Sequence, residues 1–337
     1  MGVLGGSRDS RSATPEELDQ YADISLQLAR LSKDGIYNPS DPNHRLMVIA
    51  FDATRSDRLD AKTGHTNPDI LEQLVETNDR VSTFYVHGVG TRADTPLHSV
   101  YEMATGVGSE ARAVQAYREF VTEVRDWHAQ SPASEPHVIT TGFSRGVGSQ
   151  RHFANLLEDH GVPNSDCSGY LIAPGQVKQD LMFMFDGVVT GQEHVLDLPI
   201  PLSVATSVHL VAQEEGRAAF DLASTIDPLR PDQPGRLEFM VPGFHVDAGG
   251  DTQYGGLSAR TLELAVESFK QNGVPMQPLP EQFQAQENSI QLTAPNRIMP
   301  FNWEFGDRDV DLFIDPDPGP KRDQERSLDQ GCALSRS

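Results

Sequence analysis

A chain of 337 residues, 37% of them hydrophobic, is long enough to bury a sizeable core in one large α/β domain or two ordinary ones. Its 49 Asp and Glu against 27 Lys and Arg leave a formal charge of −22, which repels phosphate backbones and anionic bilayers and argues against general nucleic-acid binding. The two cysteines, Cys167 and Cys332, are far apart and have no zinc-site spacing, and no apolar run approaches the ~20 residues of a transmembrane helix.

The opening MGVLGGSRDSRSA (residues 1–13) lacks the apolar centre of a secretory signal, and Gly6 stands where a myristoylation signal needs Ser or Thr. It reads as a disordered leader on a protein that is cytoplasmic where it is made. Thr14-Pro15-Glu16-Glu17 is a helix start with a capping box, and the apolar spacing of Leu18, Tyr21, Ile24, Leu28 and Leu31 predicts a helix to about Ser32.

Strands and helices then alternate. RLMVIAF (45–51) has the continuous apolar character of a buried parallel strand, PDILEQLVET (68–77) has helical spacing, and STFYVHGVGT (82–91) is a strand running into a glycine loop. A long amphipathic helix is predicted over 110–129, a strand over 137–140 and a helix over 145–161. YLIA (170–173) and DLMFMFDGVV (180–189) are apolar again, 236–245 is a late strand, and 258–271 a last helix. This alternation predicts an α/β fold, a mostly parallel central sheet with helices on both faces, over residues 14–274. Residues 275–337, rich in Pro, Gln and Asp, read as a partly disordered C-terminal extension.

The strand over 137–140 leads into Gly142-Phe143-Ser144-Arg145-Gly146 and then a helix, the setting in which G-x-S-x-G holds a nucleophilic serine on a sharp turn. The Arg145 N–H, at the helix start, is placed to receive an oxyanion. In α/β-hydrolases the chain order is serine, acid, histidine, which makes His245, in the glycine-rich loop MVPGFHVDAGGD, the natural base. His87, at the end of the strand in YVHGVGT, is assigned to support of the active-site loop, and His152 to packing or capping. His44, His65, His98, His128 and His160 fall in linkers or on polar faces. For the acid, Asp186 directly follows an apolar strand, where a carboxylate without a partner is costly. Asp247, two residues after His245, is the alternative acid, although a carboxylate so near in sequence more often organises its own loop. A second oxyanion donor is expected around Ala53 and Thr54, then around Gly88. The long stretch 191–235 is expected to serve as a lid or substrate-contact region.

Six blocks occur in order: FDATRSDR (51–58), YVHGVGT (85–91), GFSRGVGSQRHFANLL (142–157), FDGVVT (185–190), PGFHVDAGG (242–250) and GLSARTLELAVE (256–267). Together they resemble the DUF2235 family, the α/β-hydrolase domain of the first class of type VI secretion lipase effectors, the Tle1-like phospholipases. The resemblance spans roughly residues 46–271. It implies Ser144 as nucleophile, Asp186 as acid and His245 as base, hydrolysing acyl esters of phospholipids with no metal or organic cofactor. It also implies delivery into a target cell without a signal peptide, a secretion-apparatus component and an immunity protein as partners. Phe185-Asp186-Gly187-Val188 replaces the family's W-D-T-V, and FDATRSD its F-D-G-T-x-N, so the ester itself stays open. A soluble carboxylesterase or acyltransferase, and an inactive hydrolase-fold binding module, are the alternative readings.

Overall fold

Six strands, all parallel, form the central sheet of the computed structural model. They are β1 (His44–Phe51), β2 (Val81–Val86), β3 (Glu135–Phe143), β4 (Lys178–Phe185), β5 (Val204–Ala212) and β6 (Arg236–Val241), in the order β6-β5-β4-β3-β1-β2. The helices are α1 (Pro15–Leu28), α2 (Asn67–Leu74), α3 (Ser109–Gln130), α4 (Gly146–His160), the short α5 (His245–Gly249) and α6 (Leu257–Gln271). The structure describes residues 10–31, 37–54, 56, 58, 65–88, 108–190, 192, 195–217, 220–227, 232–251, 256–286, 291–293 and 310–311.

The period of two along each strand divides the core. In β1, Leu46 and Val48 join the cluster built with α1, α2 and α6, while Met47, Ile49 and Phe51 join the one built with α3 and α4. Leu181, Phe183 and Phe185 of β4 belong to the first cluster, and Met182 and Met184 pack on Val147 and Ala154 of α4. Helices therefore cover both faces of the sheet, as the continuous apolar runs of β1 and β4 require. The expected α/β fold with its mostly parallel sheet is what forms. At its N-terminus α1 carries the expected capping box: the Glu17 N–H donates to Thr14 Oγ1 and the Thr14 N–H to Glu17 Oε2.

Three expectations need correction. Residues 204–212, inside the stretch expected as a lid, are the sheet strand β5, and its polar residues Ser207 and His209 are buried. Residues 10–12, inside the expected disordered leader, pair antiparallel with 291–293, and Arg11 forms an ion pair with Glu17. Cys167 is disulfide-bonded. YLI (170–172) pairs with Val162–Pro163 in a small antiparallel ladder rather than in the central sheet. The beginning of the C-terminal stretch is tied to α2, where Pro275 accepts the Glu76 N–H (2.8 Å) and Gln277 donates to the Leu74 carbonyl (2.7 Å). Among the described residues no helix is long and apolar enough to cross a membrane.

Candidate active site

At the C-terminal end of β3 the chain reverses into α4, and Ser144 occupies the corner with φ +55°, a left-handed conformation rare for a residue with a side chain. Three hydrogen bonds hold it there. The Ser144 N–H donates to the Phe185 carbonyl (3.1 Å), and the Ser144 carbonyl accepts from Val147 (3.1 Å) and Val188 (3.2 Å). Gly146 brings the start of α4 against the end of β1, where a Cβ would stand 2.3 Å from the Phe51 carbonyl oxygen and 2.7 Å from that of Asp52. The turn needs its glycine for that approach. Ser144 is 7% exposed, and Arg145 sits at the N-cap of α4.

Asp186 follows β4, the strand beside β3, and is fully buried with φ +37°. Its N–H donates to the Leu210 carbonyl (2.7 Å) and its Oδ1 accepts the Ala212 N–H (2.9 Å), so β5 fixes both backbone and carboxylate. The other oxygen, Oδ2, lies 2.6 Å from Nδ1 of His245. With the carboxylate as acceptor, Nδ1 carries the proton and Nε2 keeps its lone pair. The imidazole is packed against the Phe143 ring at 4.6 Å and edge-on to Phe220 at 4.8 Å. Burial pushes His245 below the ordinary histidine value, against the pull of the Asp186 carboxylate.

Asp247 is engaged locally: its Oδ2 accepts the Phe244 N–H (2.9 Å), capping the turn that carries His245. The structure thus brings Asp186 to His245 and sets Asp247 to order the loop. Other histidines lie elsewhere. His44 stacks on buried His137 at 4.3 Å, where β1 and β3 begin, rather than standing in solvent. His152 is buried and accepts the Asp197 N–H (3.1 Å). His98 lies outside the described residues.

On the other side of the serine turn, the loop after β1 is organised by Asp52, which sequence reasoning passed over. Its Oδ1 accepts from the Ala53 N–H (2.7 Å) and Thr66 Oγ1 (2.7 Å), and its Oδ2 from the Tyr85 hydroxyl (2.5 Å). Burial pushes the Asp52 carboxyl up to about 6, in spite of the hydrogen bonds from Thr66, Tyr85 and Ala53. Its signal was present: an acid directly after an apolar strand, the criterion that singled out Asp186. The consequence corrects one expectation, because the Ala53 N–H is already given to a carboxylate and does not face an oxyanion. Thr54 remains, and its hydroxyl is buried without a partner among the described residues. Gly88 lies against this loop so closely that a Cβ would fall 1.5 Å from the Ala53 carbonyl oxygen. The carbonyls of His87 and Gly88 both accept from Arg112 (2.9 and 3.2 Å).

Near His245, Arg217 is paired with buried Glu215 (2.7 Å) and stacks over the Phe220 ring at 3.5 Å. The Glu215 carboxylate also accepts the His245 N–H at 3.4 Å. No group of three or more His, Cys, Asp or Glu that could hold a metal ion occurs among the described residues.

Residues 45–172 match the family model of the catalytic domain of type VI secretion phospholipase effectors of the Tle1-like kind. This part of the chain is similar to a Tle1-like catalytic domain. The Tle1-like match takes in the serine turn and the Asp52 loop and ends before Asp186 and His245. Among solved structures, an uncharacterized protein from Pseudomonas aeruginosa superposes with a TM-score of 0.48 at 18% identity, over 82% of this chain and 53% of that one. The Tle1 effector, solved bound to the VgrG spike of the type 6 secretion system, gives 0.46 at 17% identity, over 74% and 57%. A dienelactone hydrolase from Anabaena variabilis gives 0.35 at 15%, over 68% and 88%. The chain spans little more than half the length of the first two. No protein of curated function matches the sequence.

Proposed function

We propose that this protein is a serine hydrolase that cleaves acyl esters of phospholipids, with Ser144 as nucleophile, His245 as general base and Asp186 as its orienting acid. The observation that carries the reading is the buried 2.6 Å pair of His245 and Asp186, attached by the Phe143 ring to a serine held at φ +55°. A strained serine at a strand-to-helix corner and an imidazole locked in one tautomer are the two parts acyl transfer needs. The lipid class rests on the match to the Tle1-like phospholipase effector domain. The same match supports a secretion-apparatus component as partner and a target cell as the place of action.

In the reaction, His245 Nε2 takes the Ser144 proton as Oγ adds to the ester carbonyl. The tetrahedral oxyanion is held by the N–H groups of Arg145 and Thr54, the latter replacing Ala53. The C–O bond to the glycerol oxygen breaks, and His245 returns its proton to that leaving oxygen. Water, deprotonated by the same imidazole, then attacks the acyl-serine; the bond to Ser144 Oγ breaks, the fatty acid leaves, and His245 returns its proton to Oγ. Each oxyanion donor contributes about 10²–10³ in rate.

The test incubates the purified protein with phospholipid vesicles, zwitterionic and anionic, and with soluble p-nitrophenyl esters. Fatty-acid release from lipid, absent in Ser144→Ala, is the expected result. Hydrolysis of soluble esters alone replaces the lipase with a soluble esterase. A folded protein that neither turns over any ester nor takes a fluorophosphonate label at Ser144 overturns the hydrolase reading.

A further inference from the structure

The residue after the acid is gripped on both sides by a ring of hydrogen bonds that lies outside the Ser144, His245 and Asp186 set. The Gly187 N–H donates to Nε2 of His209 at 2.9 Å. An Nε2 that accepts a backbone N–H carries no proton, so the proton of neutral His209 is on Nδ1, and that nitrogen faces Oε2 of Glu238 at 3.3 Å. His209 and Glu238 stand opposite each other in the ladder of β5 and β6. Glu238 also accepts from the Thr225 N–H (2.8 Å), the Thr225 hydroxyl (3.1 Å) and the Ser224 hydroxyl (3.2 Å). The neighbouring Ala223 N–H donates to the Gly187 carbonyl at 3.0 Å, and the ring closes on the residue where it began. Arg151 of the nucleophile helix α4, fully buried, clamps the carbonyls of Ala223 (2.6 Å) and Ser224 (3.0 Å) from behind.

The ring sits where backbone strain must be balanced. Asp186 has φ +37°, a conformation that is strained for a residue with a side chain and persists only when its surroundings over-determine it. We propose that His209 is a positioning residue for the active-site acid: held in its Nδ1–H tautomer by Glu238, it takes the Gly187 N–H and so keeps the Asp186 carboxylate aimed at His245. The inference rests on the serine-hydrolase reading for its kinetic consequence, and on geometry alone for the Asp186–His245 contact. Burial pushes the Glu238 carboxyl up, but the hydrogen bonds from His209 and Thr225 outweigh it and leave it at about 2, a permanent acceptor for the Nδ1 proton. Burial also pushes His209 below the ordinary histidine value, consistent with a neutral ring.

Three variants of the full chain test this. His209→Gln keeps an acceptor toward Gly187 and a donor toward Glu238, His209→Leu keeps neither, and Glu238→Gln removes the charge that selects the tautomer. Each is read by thermal unfolding, by kcat and KM on a p-nitrophenyl ester, and by histidine ¹⁵N NMR of the tautomers of His209 and His245. A displacement of about 1 Å at a catalytic group is worth on the order of 10²-fold. His209→Leu is therefore expected to lower kcat by about 10–100-fold with KM changed less than about twofold, and to release His245 from a single tautomer. His209→Gln is expected to recover kcat to within about fivefold of wild type. A folded His209→Leu with unchanged kcat and an unchanged His245 tautomer overturns the proposal, and so does a His209→Gln protein as impaired as His209→Leu. If His209→Leu does not fold, Glu238→Gln decides: mixed tautomers at His209 with lowered kcat support the proposal, and an unaltered tautomer and rate overturn it. A wild-type protein without turnover, whose His245 tautomer still depends on His209, removes the hydrolase reading and leaves the positioning role standing.

Discussion

Oδ2 of Asp186 lies 2.6 Å from Nδ1 of His245, while Oδ1 of the same carboxylate takes the Ala212 N–H at 2.9 Å. One oxygen anchors the carboxylate to the sheet and the other holds the imidazole. Asp247, by contrast, accepts the Phe244 N–H and shapes the turn from which His245 projects. Two carboxylates that compete in sequence thus have separable duties. Asp186→Asn is expected to cut kcat by about 10³–10⁴-fold, since the imidazole loses its tautomer. Asp247→Asn should instead lower stability by about 1 kcal/mol with a much smaller kinetic effect. Parallel steady-state kinetics and thermal unfolding check the pair, and a larger kcat loss in Asp247→Asn would reverse the assignment.

The pH profile follows from His245. Its pKa is held below the ordinary ~6.5 by burial. As the proposed base, His245 accepts the Ser144 proton only when neutral, so activity is expected above that pKa and should be lost as pH falls through it. The acid limb of kcat/KM should therefore lie below about pH 6.5. Asp186→Asn removes the carboxylate that opposes burial, and its residual activity should show the limb at still lower pH.

Asp52 predicts a dependence of opposite sign. Its folded pKa of about 6 lies above the 3.8 of the free side chain, so the folded state binds the proton more readily. That contribution to stability is complete below the unfolded value and is lost as pH rises through about 6. Melting curves of Asp52→Asn against wild type should show the variant gaining relative stability between about pH 4 and pH 6. Because Asp52 holds the Ala53–Thr54 turn, the same variant should lose about 10–100-fold in kcat, part of one oxyanion donor's worth. Tyr85→Phe, which removes one hydrogen bond to this carboxyl, should cost about 1.5–3 kcal/mol of stability.

Gly146→Ala tests the serine turn itself. The added Cβ meets two backbone oxygens of the neighbouring strand end, which cannot swing aside as a flexible side chain does. A loss of about 1–3 kcal/mol, with reduced fluorophosphonate labelling of the folded fraction, is expected. Unchanged stability would mean that α4 does not approach β1 so closely.

The helices were largely legible. The amphipathic run predicted over 110–129 forms Ser109–Gln130, and the last helix, predicted over 258–271, forms Leu257–Gln271, because each carries its own apolar period and ends. The strand VATSVHLVA (204–212) was not, since Thr206, Ser207 and His209 interrupt the apolar run. His209 tolerates burial because its partners come from elsewhere in the chain: Nε2 accepts from Gly187, and Nδ1 faces Glu238. Asp52 carried the same mark as Asp186, an acid directly after an apolar strand, but two of its three donors, Thr66 and Tyr85, are brought to it only by the fold.

By itself the sequence determined the alternation that makes a parallel sheet, the serine on its strand-to-helix turn, and a short set of acids and histidines able to serve it. Periodicity and turn chemistry are local, and local patterns suffice for those. Only the tertiary structure decided that Asp186 meets His245, that Ala53 is spent on Asp52, and that a second histidine–carboxylate pair braces the acid from behind. Apart from the adjacent pair Asp52 and Ala53, these are contacts between residues 22 to 59 positions apart, set by which strand lies beside which in the sheet.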